Sequence, residues 1–231
     1  MTPVFCITKI SIHAWFHVLQ NYRLLTSGGA LGKGCGPLLI GKSGRIPSRG
    51  KVALPGALTT ASLLFQMAVP GEFELVQMPF NNIIPAIVAN EVEAGVIIHE
   101  SRFTYQNYDL ECMLDLGQWW ENETNGLIPL GGIIISNRIG RDDQLKIQDL
   151  IRKSILFAEQ HPEASVEFIK QNAQELDDDV INNHIGLYVN DYSKDLGNNG
   201  KKSIQMLYKK SEALGLLPES SLNKGEDLFI A

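Results

Sequence analysis

Apolar and polar positions along this chain change period twice. Residues 4–12 cluster β-branched side chains and predict a strand. Trp15, Phe16, Leu19, Tyr22 and Leu25 recur at helical spacing and predict a helix over 13–25. Residues 27–36, SGGALGKGCG, read as a glycine-rich loop, and 37–40 as a short apolar strand. The polar stretch 41–50, with its Gly, Ser and Pro, predicts a linker. A regular alternation follows: strand 51–54, a turn at Pro55-Gly56, helix 59–68, strand 73–78, helix 81–90 and strand 94–98. Strands and helices in alternation with short connections predict parallel strands joined by right-handed crossovers. Residues 111–116 and 131–136 add two further strands. From residue 142 the pattern turns helical, with Leu145, Ile147, Leu150, Ile151, Ile155 and Leu156 as one apolar stripe. Pro162 opens another helix, since proline suits a first turn. Residues 180–189 and 203–214 predict two more, with a turn at 197–200 between them.

The middle is therefore an α/β lobe flanked by linker-like passages near 41–50 and 127–132. That arrangement predicts a two-lobed clamp: lobe 1 from residues 1–45 and 133–231, lobe 2 from residues 46–132. A cleft between two such lobes is a common ligand site.

Composition narrows the functional classes. The chain has 231 residues, 44% hydrophobic and 20% charged, enough for one large domain or two small lobes. The formal net charge of −6 argues against nucleic acid as the main partner. Lys201-Lys202 and Lys209-Lys210 read as solvated helix faces. Three cysteines, Cys6, Cys35 and Cys112, have no CxxC spacing, which predicts a reducing compartment without disulfides or a structural zinc. No apolar run approaches the ~20 residues of a membrane span. The first residues lack signal-peptide features, so the expected location is the cytoplasm.

Candidate chemistry concentrates after the strand at 94–98. An apolar run ends abruptly in His99-Glu100-Ser101-Arg102. In open α/β sheets ligands sit at the carboxyl ends of strands, so His99 stands where a base is useful. The bland reading is a loop histidine that only makes hydrogen bonds. Lys9 and Ser11 alternate onto one strand face and suit a carboxylate or a diol, or they form an ordinary polar strand end. Thr59, Thr60 and Ala61 open a helix, whose first amides favour anions. Thr59 equally fits an N-cap. Paired Trp119-Trp120 could wall an aromatic ligand, or split between core and linker. Gly36 to Ser43 matches GxxxxGK[ST], but its middle residues are strand-like and Gly44, Pro47 and Gly50 forbid an immediate helix, so it is not read as a phosphate loop. His13 and His17 have the i, i+4 spacing of a metal pair. Ala14 replaces a zincin glutamate and no third ligand is nearby, so no metal is expected. His17 is read as partly buried and structural.

Six blocks in order carry a resemblance. They are Thr8-Lys9-Ile10-Ser11-Ile12-His13-Ala14, Ser27-Gly28-Gly29-Ala30-Leu31-Gly32, Leu58-Thr59-Thr60-Ala61, His99-Glu100-Ser101-Arg102-Phe103-Thr104-Tyr105, Leu116-Gly117-Gln118-Trp119-Trp120-Glu121 and Pro129-Leu130-Gly131-Gly132. From about Ile7 onward the chain resembles the 1,4-dihydroxy-6-naphthoate synthase family of the futalosine route to menaquinone. The resemblance implies an α/β, two-lobed periplasmic-binding-protein-like (type II) fold used as a cytoplasmic, cofactor-independent enzyme. It implies cyclic dehypoxanthine futalosine as the small-molecule substrate and 1,4-dihydroxy-6-naphthoate as product. The family base maps onto His99, and substrate contacts onto Lys9, Ile10, Ser11, Thr60 and Ala61. Glu100 or Arg102 is a candidate to hold the imidazole.

The resemblance also implies a departure. Family members begin with an additional strand and helix, so the first lobe is expected to be incomplete, with an exposed sheet edge. The competing readings are a non-catalytic solute-binding protein of the same fold and the sibling chorismate dehydratase. The sequence leaves the oligomeric state open.

Overall fold

The computed structural model describes residues 6–99, 101–172, 178–217 and 228–230. Along the chain these form β1 (Ile7–Ser11), α1 (Ile12–Phe16), β2 (Tyr22–Leu24), β3 (Ala30–Gly32), β4 (Leu38–Gly41), β5 (Gly50–Leu54), α2 (Thr60–Ala68), β6 (Phe73–Gln77), α3 (Phe80–Val88) and β7 (Ala94–Ile97). Then follow α4 (Ser101–Thr104), a 3-10 turn (Tyr105–Tyr108), β8 (Glu111–Asp115), α5 (Leu116–Thr124), β9 (Ile128–Ser136) and α6 (Arg141–Gln160). The chain closes with α7 (Glu163–Asn172), α8 (Asp178–Tyr188), α9 (Asp191–Lys194) and α10 (Gly197–Ala213).

The chain divides into two compact units, Met1–Gly32 with Pro129–Ala231, and Lys33–Ile128. The first crossing was expected near residue 45. It falls earlier because β4 belongs to the second sheet, where it bonds antiparallel to both β7 and β8. Residues 41–50 are therefore a loop within the second unit and not a linker.

In the second unit the strand order is β6-β5-β7-β4-β8. β5 pairs parallel with β6 and β7, as the alternating pattern predicts. The antiparallel β4 and β8 make the sheet mixed, because β4 enters before the βαβ run begins. α3 presses its Ile83 and Ile87 onto β7 so closely that a Cβ on Gly95 would overlap the Ile83 side chain. Ile40, Ala53, Ile83, Ile84, Ile87 and Ile97 share one core cluster.

In the first unit β9 pairs with β1, β2 and β3. The helix expected over 13–25 stops at Phe16, and Tyr22–Leu24 becomes a strand against Ser136–Ile134. The apolar residues there serve both structures: Trp15 and Phe16 are buried from the short helix, and Leu24 from the strand. Ser27–Gly28 follow β2 on a left-handed turn, with Gly28 at φ 81 and its amide on the Ser193 carbonyl at 2.7 Å.

The C-terminal stripe departs from expectation as well. Ile147 and Ile151 pack on Leu25, Ile135 and Ile230, but Leu145 and Leu150 are exposed. Residues 197–200, expected as a turn, are the first turn of α10, which Gly197 enters at φ 54.

Candidate functional site

Parallel pairing of β5 with β7 brings two chain reversals to one end of the second sheet. At that end β5 runs into Pro55-Gly56 and then α2, and β7 runs into His99. β4 starts there and β8 ends there, through the Leu38–Ile97 and Leu38–Asp115 pairs. His99, Asp115 and the segments that carry Thr60, Ala61 and Arg102 thus follow strands at one end of one sheet, although they span positions 60 to 115.

His99 adopts φ 57, a left-handed conformation that few non-glycine residues hold. Its carbonyl accepts the Arg102 amide at 3.2 Å. The half-buried imidazole stands edge-on to the Phe80 ring, 5.2 Å between centroids at 66°. Phe80 opens α3, so the ring beside His99 is delivered by a third segment.

Arg102 is committed elsewhere than to the imidazole. Its guanidinium donates to the Gly36 carbonyl at 2.5 Å and to Asp115 Oδ2 at 2.8 Å. The other Asp115 oxygen accepts the Gly117 and Gln118 amides, both at 2.9 Å, and so caps α5. Glu100 lies outside the described residues.

α2 begins with a side-chain cap. Thr59 Oγ1 accepts the Ser62 amide at 3.1 Å and donates to the Gly56 carbonyl at 2.8 Å. The Thr60 and Ala61 side chains are buried, each 3% exposed. The Ala61 amide belongs to the first turn of α2, whose leading N–H groups have no intrahelical acceptor. Thr59 is the cap and the helix starts behind it, as the N-cap reading of this block expects.

The first unit carries Lys9, Ile10 and Ser11 on β1, opposite Ile133, Gly132 and Gly131 of β9. Lys9 is exposed and forms no ion pair among the described residues. Ser11 occupies the N-cap position of α1 without a side-chain capping bond. A Cβ on Gly131 would stand 3.2 Å from the Ile10 carbonyl, so β9 runs closely beside β1 here.

Of the histidine pair, His13 follows directly on the end of β1 in the first turn of α1. His13 is 4% exposed and packed in the core, and His17 lies on the surface. Their rings are 5.2 Å apart, and desolvation holds the His17 imidazole below its ordinary pKa. Among the described residues no group of His, Cys, Asp and Glu could hold a metal ion, and no helix is long and apolar enough to cross a membrane. Of the paired tryptophans, Trp120 is core, its Nε1 donating to the Leu127 carbonyl at 2.8 Å. The strand-like middle of the GxxxxGK[ST] match is β4 itself, and no helix follows.

Sequence reasoning missed Phe80, Asp115 and Gly36. Asp115 carried a signal, since Asp before Leu-Gly-Gln at a strand–helix junction is an N-cap pattern. Phe80 and Gly36 carried none.

A family model described as "Menaquinone biosynthesis" matches residues 4–213. A 1,4-dihydroxy-6-naphthoate synthase of Streptomyces coelicolor is 43% identical over 218 residues, covering 92% of this chain and 77% of that protein. The chain belongs to this menaquinone-biosynthesis family. A naphthoate synthase of Thermus thermophilus is 40% identical over 215 residues, covering 93% of this chain and 79% of its own length. Among solved structures, a protein of Archaeoglobus fulgidus superposes with TM-score 0.87 at 36% identity, over 92% of this chain and 80% of that one. The alkanesulfonate-binding protein of Xanthomonas axonopodis matches with TM-score 0.70 at 14% identity, over 93% and 77%. That likeness concerns the fold alone, and the fold of this family member is periplasmic-binding-protein-like with two mixed α/β units.

Proposed function

We propose that this chain is a carbon–carbon lyase that converts cyclic dehypoxanthine futalosine into 1,4-dihydroxy-6-naphthoate, with His99 as the proton-abstracting base. The observation that carries this reading is identity of 40–43% to two naphthoate synthases over more than nine-tenths of the chain. The second sheet adds physical support. A histidine at the carboxyl end of a parallel strand, beside a helix N-terminus, combines a base with an anion-favouring dipole.

An imidazole titrates near neutrality, which suits it to general-base work at physiological pH. In the proposed reaction His99 takes a proton from the cyclised sugar portion. The electron pair left behind opens the ring system, a small carbon fragment departs, and the naphthalene aromatises. The first turn of α2 at Thr60 and Ala61 orients anionic or hydroxylated parts of the substrate. Lys9, Ile10 and Ser11, carried by the first unit, are proposed as further substrate contacts, with the Lys9 ammonium directed to a carboxylate. No cofactor enters this scheme.

The test is turnover of cyclic dehypoxanthine futalosine by the purified chain, followed by appearance of the naphthoate. Product formation that is lost in His99→Ala supports the reading. Ligand-induced stabilisation without any product would instead make this chain a binder, in keeping with the many binding proteins that share its fold.

A further inference from the structure

We infer that Arg102 is a positioning residue for His99, acting through a fork that ties the His99 turn to Asp115 and to the Gly36 carbonyl. The inference rests on the reading of His99 as the base.

A non-glycine residue stays in the left-handed region only where its surroundings over-determine it, and such residues gather at functional sites. His99, at φ 57, lies between the end of β7 and the single turn of α4. The Arg102 amide closes that turn on the His99 carbonyl. The same residue then sends its side chain out of the turn and into the body of the unit. There it meets two acceptors from two other segments, the Gly36 carbonyl before β4 and the Asp115 carboxylate at the end of β8. The pair is largely shielded, with side-chain exposures of 16% for Arg102 and 29% for Asp115.

Both anchors are themselves fixed. Asp115 spends one oxygen on two amides of α5, which aims the other at Arg102. The Gly36 backbone lies against that of Gly117, and a Cβ on Gly117 would stand 2.7 Å from the Gly36 Cα. The Leu116 amide donates to the Pro37 carbonyl at 3.0 Å, closing the same junction. Arg102 is thus bolted to a corner where two backbones touch. A guanidinium suits this task because its donors are fixed in one plane and engage two acceptors at once, which a lysine ammonium on a flexible stem does not reproduce. The Phe80 ring packs edge-on against the imidazole.

Proton transfer depends steeply on the placement of the base, so a loosened turn lowers the chemical step and leaves substrate binding largely alone. The test compares Arg102→Gln, Arg102→Lys and Asp115→Asn with the parent chain in the naphthoate assay, each first checked by thermal melting. Asparagine retains one oxygen for the α5 amides and presents an NH2 donor, which cannot accept from the guanidinium, in place of the oxygen that faces Arg102. Arg102→Gln and Asp115→Asn should each lower kcat by roughly ten- to a hundredfold, with KM held within about twofold. The double variant should be no worse than the weaker single variant, since both cut one linkage. Arg102→Lys should recover part of the lost kcat. Undiminished kcat in Arg102→Gln or Asp115→Asn overturns the inference, and so does a raised KM at full kcat, which would make Arg102 a substrate contact. The two readings separate on one further variant. Turnover retained in His99→Ala removes the base itself, whereas an inactive His99→Ala beside a fully active Arg102→Gln removes only the positioning role.

Discussion

His99 combines a reactive ring with an uncommon backbone angle, and substitutions separate the two. Alanine removes the ring and keeps the left-handed strain, while glycine removes both. His99→Gly should therefore be the more stable variant by about 1 kcal/mol, and both should lack turnover; urea titration beside the activity assay checks this. Cys35 offers a second test at this scale. Burial, first of all, pushes its thiol up to about 12 from 9.0. A folded pKa above the unfolded one means that the neutral thiol supports folding fully below pH 9, and that this support is lost as pH rises toward 12. Melting temperature should accordingly fall across that window, and less so in Cys35→Ala. At pH 8 a thiol reagent should leave Cys35 unmodified until denaturant is added, whereas exposed Cys112 reacts slowly, its thiol also raised by partial burial and the Asp115 charge. What the sequence reveals about individual residues follows the same division. His99 and Thr60 stand out because an apolar run ends just before the one and a turn just before the other. Arg102 reads as a candidate to hold the imidazole, yet it binds Asp115, because a charge's partner is chosen by strand register and not by its neighbours in the chain.

Caps and glycine contacts govern the elements that present these residues. Thr59 ties the start of α2 to Gly56 through one hydroxyl, so Thr59→Ala should cost about 1 kcal/mol, measurable by denaturant unfolding. Gly117 has no room for a methyl group, since the obstacle is the Gly36 backbone rather than a side chain that can turn away. Gly117→Ala should destabilise by about 1–3 kcal/mol, far more than alanine at Gly186, which has open space around it. The regular βα run from residue 51 to 98 was legible because period and turn residues agree there. The start of the chain was not, because Trp15, Phe16 and Leu25 fit a long helix equally well. The strand Tyr22–Leu24 exists because β9 offers it a partner more than a hundred positions away. Along α6 the apolar stripe overstated burial: Leu150 is 64% exposed, and a period of 3.6 records which residues share a face, not whether anything covers it.

The two units differ in how the chain builds them. The second is one continuous stretch, 33–128, with its own five-stranded sheet and core. Expressed alone it should fold, showing a single cooperative unfolding transition and dispersed amide resonances; a chain without either would show that its stability is borrowed. It would also carry His99, Arg102 and Asp115 together, so the fork could be seen in a fragment with no turnover. The first unit has no such independence, since β9 is the partner of β1, β2 and β3 alike. On the ribosome this imposes a wait. The strands β1, β2 and β3 emerge before β9, their shared partner among the described residues, which follows roughly a hundred residues later, an interval of about 5–20 seconds at ordinary synthesis rates. During that interval the nascent chain carries open strands beside a second unit that is free to fold first. Chaperone demand in the cell should therefore follow the translation speed of the segment between β3 and β9, and slower codons there should lengthen the period in which the early strands are open to the wrong partner.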